Sequence, residues 1–162
     1  MTKTYTVRQV KLSEFKGIRE LIKSKREWQE NAWIKRSWEK SIWDMAYDGL
    51  LSGKWVGLGY FDHDGTLMAY LDYKEHASSV IEIGICMTVD QYTNRGLMQA
   101  LLKYVISSFS NREIIIGTSE QNKAMIACIE HVGFYEDFRV EQDRIDGSAS
   151  IHYHFIPNLR QF

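Results

Sequence analysis

Hydrophobic and polar positions change period several times along the chain, and each change marks an element. Thr4 to Val10 alternates weakly, as a half-buried strand does, and Leu12, Phe15, Ile18 and Ile22 then recur at helical spacing, with Ser13 placed as an N-cap. From Glu27 to Leu51 a polar, aromatic-rich stretch without proline predicts one helix or a pair, closed by Ser52-Gly53. The period then drops to two, which predicts a hairpin of Trp55 to Phe61 and Leu67 to Tyr73 about Asp62-His63-Asp64-Gly65. His76-Ala77-Ser78-Ser79 turns the chain into a third meander strand, Val80 to Val89.

Leu97, Leu101 and Val105, with Met98, Leu102, Ile106 and Phe109, make an apolar stripe over three turns of a helix that must lie on the sheet. Glu113 to Thr118 is a short β-branched run of the kind buried on both faces, as in a parallel strand reached by a helical crossover. Asn122 then caps a helix with Met125, Ile126, Ile129 and Val132 on its apolar side and Gly133 at its end. Phe134 to Glu141 and Ala149 to Ile156, joined through Asp146-Gly147, form a closing hairpin. With no linker, repeat or low-complexity segment, residues 1–162 read as one α+β domain. Its architecture is a mixed, mostly antiparallel sheet of about seven strands flanked by about four helices.

Composition narrows the function classes. The chain of 162 residues is 44% hydrophobic and 25% charged, which suits a globular protein and excludes disorder. Twenty basic side chains against twenty-one acidic ones leave a net charge of −1, so no nucleic-acid or membrane partner is expected. The N-terminus lacks a signal-peptide core and no run is long enough to span a bilayer, so a cytoplasmic protein is expected. Cys86 and Cys128 sit in apolar segments without neighbours at metal-ligand spacing and read as packing thiols. His152 and His154 share one face of a strand with no third ligand, so no metal is expected.

The candidate chemistry lies in EIGICMTVDQYTNRGLMQALL, from Glu82 to Leu102: an apolar strand, a polar bend with one glycine, then the striped helix. Amides at a helix start lack carbonyl partners and carry the positive end of the helix dipole, so Asn94 to Met98 suit a pyrophosphate. A phosphate-bearing cofactor follows. Glu82 stands on this apolar strand, where a carboxylate partly withdrawn from water suits a general base. Regular alternation puts Val80, Gly84, Cys86 and Thr88 on its side.

The order of elements resembles the GNAT superfamily of acyl-CoA-dependent N-acetyltransferases across nearly the whole chain. Two motifs carry the likeness. The family pattern of Gln or Arg, two residues, Gly, one residue, then Gly or Ala falls on Thr93-Asn94-Arg95-Gly96-Leu97-Met98, with Gly96 as its strict match. An asparagine followed by a helix ending in Gly-Phe is matched by Asn122 through Gly133-Phe134. Glu82 stands eleven residues before Thr93, as a glutamate does in the histone-acetyltransferase branch.

The resemblance implies acetyl-CoA as co-substrate, with its pantetheine arm on the backbone of Cys86, Met87 and Thr88. The pyrophosphate would rest on the amides of Asn94, Arg95, Gly96, Leu97 and Met98, helped by the Arg95 charge and the Thr93 hydroxyl, while Asn122 meets the arm. Glu82 becomes the base. The family's tyrosine acid is absent, since Ile129 occupies its place, and Tyr135 and His131 are the able substitutes. In relatives the acceptor wall comes from the region where Trp28, Trp33, Trp38 and Trp43 recur every five residues, and Trp28 and Trp33 are the candidates here. A five-residue step turns a helix by about 140°, so the four rings spread around the axis and some must pack.

The expected activity is therefore acetyl transfer to an amine-bearing acceptor, a small molecule or peptide, by a monomer or homodimer. A non-catalytic acyl-CoA-binding module on the same fold is the alternative.

Overall fold

The computed structural model describes residues 5–25 and 41–157. Strands β1 (Thr6–Gln9), β2 (Val56–Phe61), β3 (Leu67–Glu75) and β4 (Ile81–Thr88) follow one another antiparallel. A parallel neighbour needs a crossover, and helix α3 (Leu97–Ser108) supplies it between β4 and β5 (Ile114–Ser119). Strands β6 (Tyr135–Val140) and β7 (Ser150–Phe155) close the seven-stranded sheet in the spatial order β1-β2-β3-β4-β5-β7-β6.

Helices α1 (Phe15–Ser24) and α2 (Ile42–Ser52) cover one face. There Ile18, Ile22, Ile42, Ala46 and Leu50 pack on Val10, Phe61 and Tyr70. Helices α3 and α4 (Lys123–His131) cover the other, where Leu97, Leu101, Leu102, Val105 and Ile129 meet Leu71, Ile81, Ile83, Ile114 and Ile116. Each stripe lies on the sheet because burying its apolar side chains removes water from both surfaces. Among the described residues no helix is long and apolar enough to cross a membrane.

Three local expectations change. Ser13 is not an N-cap: it lies inside a 3-10 turn, Leu12–Glu14, that leads into α1. The entry is held by Glu14, which accepts the Lys11 amide at 2.7 Å and pairs in fork fashion with Arg8 at 2.8 and 2.9 Å. A planar guanidinium matches a carboxylate in this way, and a serine hydroxyl offers no equivalent. Strand β5 is not buried on both faces: Ile114 and Ile116 enter the core, while Ile115 is half-buried and Gly117 is exposed. The predicted helical stretch from Glu27 lies outside the described residues up to 40, and α2 is its described part.

Ile129 is fully buried among α3, α4 and sheet residues. Ile129→Ala should lower the free energy of unfolding by about 2–5 kcal/mol, read from urea denaturation.

Candidate active site

Strands β4 and β5 are paired only at Ile81–Ile114, Glu82–Ile115 and Ile83–Ile116. Beyond Ile83, β4 stays with β3 as far as Thr88 while β5 stays with β7 as far as Ser119, so the sheet forks. A cavity of about 620 Å³ fills the fork, bordered by Gly84 to Thr88 on one arm, Gly117 and Thr118 on the other, and Asn122 and Met125 at the start of α4. From Gly84 onward the β4 backbone has lost β5 as a partner on that side, and a strand edge without a ladder partner offers hydrogen bonds to an extended ligand.

The fork begins at a bulge. Leu71 faces Cys86 but Tyr73 faces Ile83, so Asp72 stands opposite two residues, Gly84 and Ile85. The Ile85 amide donates to Asp72 Oδ1 at 2.7 Å, and the Tyr70 hydroxyl donates to Asp72 Oδ2 at 3.1 Å. Gly84 makes room for this: a Cβ there would lie 2.4 Å from Asp72 Oδ1 and 2.8 Å from the Trp55 ring. The bulge also corrects the expected alternation. Cys86 packs with the α3–α4 cluster, as do Ile81 and Ile83, whereas Ile85 and Met87 pack with the α1–α2 cluster. Cys86 therefore points away from the face that Glu82 occupies. One extra residue in the strand reverses every position after it.

Asp72 is 4% exposed and its carboxyl is pushed up to about 7. Loss of hydration is the main cause, Glu82 adds repulsion, and the bonds from Ile85 and Tyr70 oppose both. Glu82 borders the cavity from the same face, with 35% of its side chain exposed, and its Oε1 lies 2.9 Å from His76 Nε2 across the β3–β4 turn. A buried acid and a half-exposed one thus share a wall. Burial pushes the Cys86 thiol well up and Cys128 up to about 11, which suits packing thiols and not nucleophiles.

The bend after β4 has the shape that an anion cradle needs. Asn94 and Gly96 both take positive φ, +62° and +74°, and Gly96 stands at the N-cap of α3, where its lack of a Cβ permits the left-handed backbone. Thr93 to Gly96 are exposed, Leu97 is buried and Met98 is half-buried against the core. Arg95 lies over the Tyr92 ring at 5.3 Å. The Thr93 hydroxyl donates to the Asp90 carbonyl at 3.0 Å, so it holds the bend itself. Asn122 Oδ1 accepts the Met125 amide at 3.3 Å and caps α4 at the cavity wall.

Of the residues singled out in the sequence, the cavity brings together Glu82, Cys86, Met87, Thr88 and Asn122. Thr93 to Met98 lie beyond its lining, on the adjoining bend. Tyr135 is 46% exposed on the edge strand β6, and His131 is exposed at the end of α4; neither borders the cavity. Trp28 and Trp33 lie outside the described residues, and Trp43 packs against the α1–α2 core. Asp44, one of the acids among the tryptophans, is held by Arg19 Nη2 at 2.7 Å and so ties α1 to α2.

Four of the cavity residues that were not site candidates in the sequence stand out. Asp72 is one. Trp55 is another, lying where a Cβ on Gly49 would come 2.7 Å from its ring, with Lys74 Nζ 5.6 Å from the ring centre. His152, stacked on Phe138 at 4.4 Å, and Arg144, whose Nε donates to Ser150 at 3.1 Å, complete the set. The available signal was a lone acid inside the apolar run Leu67 to Tyr73 of β3. Among the described residues no three His, Cys, Asp or Glu side chains are grouped to hold a metal ion.

The model of the acetyltransferase (GNAT) family matches residues 14–134. No curated protein sequence matches significantly. Among solved structures, spermidine N-acetyltransferase from Vibrio cholerae, in complex with CoA and spermine, is similar with a TM-score of 0.76 at 10% identity, covering 98% of both chains. The ribosomal L7/L12 α-N-protein acetyltransferase RimL, in complex with CoA, gives a TM-score of 0.74 at 15% identity over 96% of this chain and 95% of its own. YncA of Salmonella typhimurium, with acetyl-CoA, gives 0.75 at 14% identity over 95% and 94%. At these identities the likeness is one of fold.

The buried acid has a pH signature. Its native value, about 7, stands above the ordinary 3.8, so the native state keeps a proton that the unfolded chain releases between those limits, and stability falls as pH rises from about 4 to about 7. Asp72→Asn removes the titration. Against that variant, wild type should lose stability on the order of 4 kcal/mol across this window and then level off, read by denaturant unfolding between pH 4 and 8.5.

Proposed function

Since the chain belongs to the acetyltransferase (GNAT) family, we propose that it moves an acetyl group from acetyl-CoA to a primary amine of a small molecule or peptide. Transfer is direct, in a ternary complex, within one domain spanning residues 1–162. The observation that carries this reading is the fork: Glu82 and the open backbone edge of Cys86, Met87 and Thr88 border one cavity.

On this reading the pantetheine arm lies along the open edge as an added strand and is read by backbone groups. Asn122 stands beside it, and the amides of Asn94 to Met98 receive the pyrophosphate with Arg95. The left-handed backbone at Asn94 and Gly96 supports that assignment. Glu82 takes the proton of the acceptor ammonium, directly or through one water, with His76 holding its carboxylate. The amine nitrogen bonds to the thioester carbon and gives up its second proton to water, backbone N–H groups of the open edge stabilise the oxyanion, and the C–S electrons leave with sulfur. Because Tyr135 and His131 lie away from the cavity and Ile129 is buried in the core, the thiolate takes its proton from water.

The acceptor approaches from the α1–α2 side, where Met45 and Trp55 border the cavity, and Trp28 and Trp33 are kept as proposed acceptor-binding residues. Relatives of this fold were solved with spermine or act on a ribosomal protein, which supports an amine without choosing its class.

Thiol release from acetyl-CoA should be measured against polyamines, aminoglycosides, amino acids and peptides. At least one acceptor should be turned over; acetyl-CoA binding without turnover of any would favour the non-catalytic module. With that acceptor, Glu82→Gln should cut turnover at least roughly tenfold while acetyl-CoA affinity stays nearly constant, and wild-type turnover would remove Glu82 from the mechanism.

A further inference from the structure

We infer that Asp72 is a positioning residue for the acyl donor: by accepting the Ile85 amide it holds the bulge that turns β4 away from β5 and presents the backbone of Cys86 to Thr88. The inference rests on the reading of the fork as the acetyl-CoA site. Asp72 itself need not touch the reacting atoms.

Three observations support it. The Ile85 amide, 2.7 Å from Asp72 Oδ1, lies just past the last β4–β5 pair, Ile83–Ile116, so the diverted hydrogen bond coincides with the fork. A buried amide left without an acceptor is costly, so the carboxyl and the splayed backbone are coupled. Asp72 Oδ1 occupies the space that the missing Gly84 side chain leaves, since a Cβ there would lie 2.4 Å from it. Tyr70 holds the other oxygen from within β3, so the carboxyl is oriented from two sides. A merely structural acid on this central strand would stabilise the fold without bearing on the donor; Asp72 is joined to the strand segment that binds it.

Neither the protonated nor the ionised carboxyl loses its acceptor oxygen for Ile85. An asparagine keeps that oxygen as well and can donate to the Tyr70 hydroxyl, whereas leucine fills similar space with no acceptor. The two substitutions therefore separate hydrogen bonding from volume.

Acetyl-CoA binding to the full chain should be measured by calorimetry, with a thermal melt for each variant. Asp72→Leu should weaken binding at least roughly tenfold, Asp72→Asn should restore it to within about threefold of wild type, and Ile81→Val, a core change on β4 before the bulge, should lower the melting temperature without changing affinity. A folded Asp72→Leu protein that binds within about twofold of wild type would overturn the inference. Should Asp72→Leu give no cooperative melt, Asp72→Asn decides alone: a tenfold loss in a protein that melts like wild type would overturn it, and retained affinity would support it. Failure of wild type itself to bind acetyl-CoA would instead overturn the reading of the fork.

Discussion

The amide of Ile85 gives its hydrogen bond to a carboxyl on β3 and not to the strand on its other side, and the shape of the molecule around the cavity follows from that diversion. A parallel pair that continued past Ile83 would close the sheet and leave no room between its halves. Instead the two arms separate, each kept flat by its remaining neighbour, β3 for one and β7 for the other. The core under α3 and α4 runs beneath both arms and keeps them from drifting further, because Ile81, Ile83, Ile114 and Ile116 are packed in one cluster.

The same diversion arranges the charges. Asp72 pays for complete burial with a raised affinity for its proton, whereas Glu82, two positions before Gly84 on the neighbouring strand, remains within reach of water and of His76. Two carboxyls on one wall thus differ in setting, one enclosed and the other open to solvent. Asp44 and Glu14, by contrast, are committed to Arg19 and Arg8 and tie the first helices to each other and to β1.

Much of this was legible in the sequence because it depends on period. The meander, the crossover helix, the Asn122 cap and the closing hairpin each carry a local signal of alternation, stripe or turn residue. Gly96 announced the bend because the left-handed backbone there favours glycine. The face of Cys86 was not legible, since a bulge adds a residue without changing composition and reverses the alternation silently. Asp72 was hidden for the same reason: a lone acid in Leu71-Asp72-Tyr73 reads as the solvent side of a strand until the opposite strand supplies an amide to meet it. Glu14 displaced Ser13 because Arg8, six positions earlier on β1, pairs with its carboxylate and fixes the helix entry.

An open strand edge places few demands on the alphabet. Peptide N–H and C=O groups are the same whichever residue carries them, so the open arm of β4 could be rewritten at many positions without altering what it offers. Drift is then limited mainly where atoms collide, as at Gly84, or where the backbone needs unusual torsions, as at Gly96. Chains sharing 10–15% of their residues superpose on this one with TM-scores of 0.74–0.76. Two proteins of this kind can be strangers in spelling and still share a grammar.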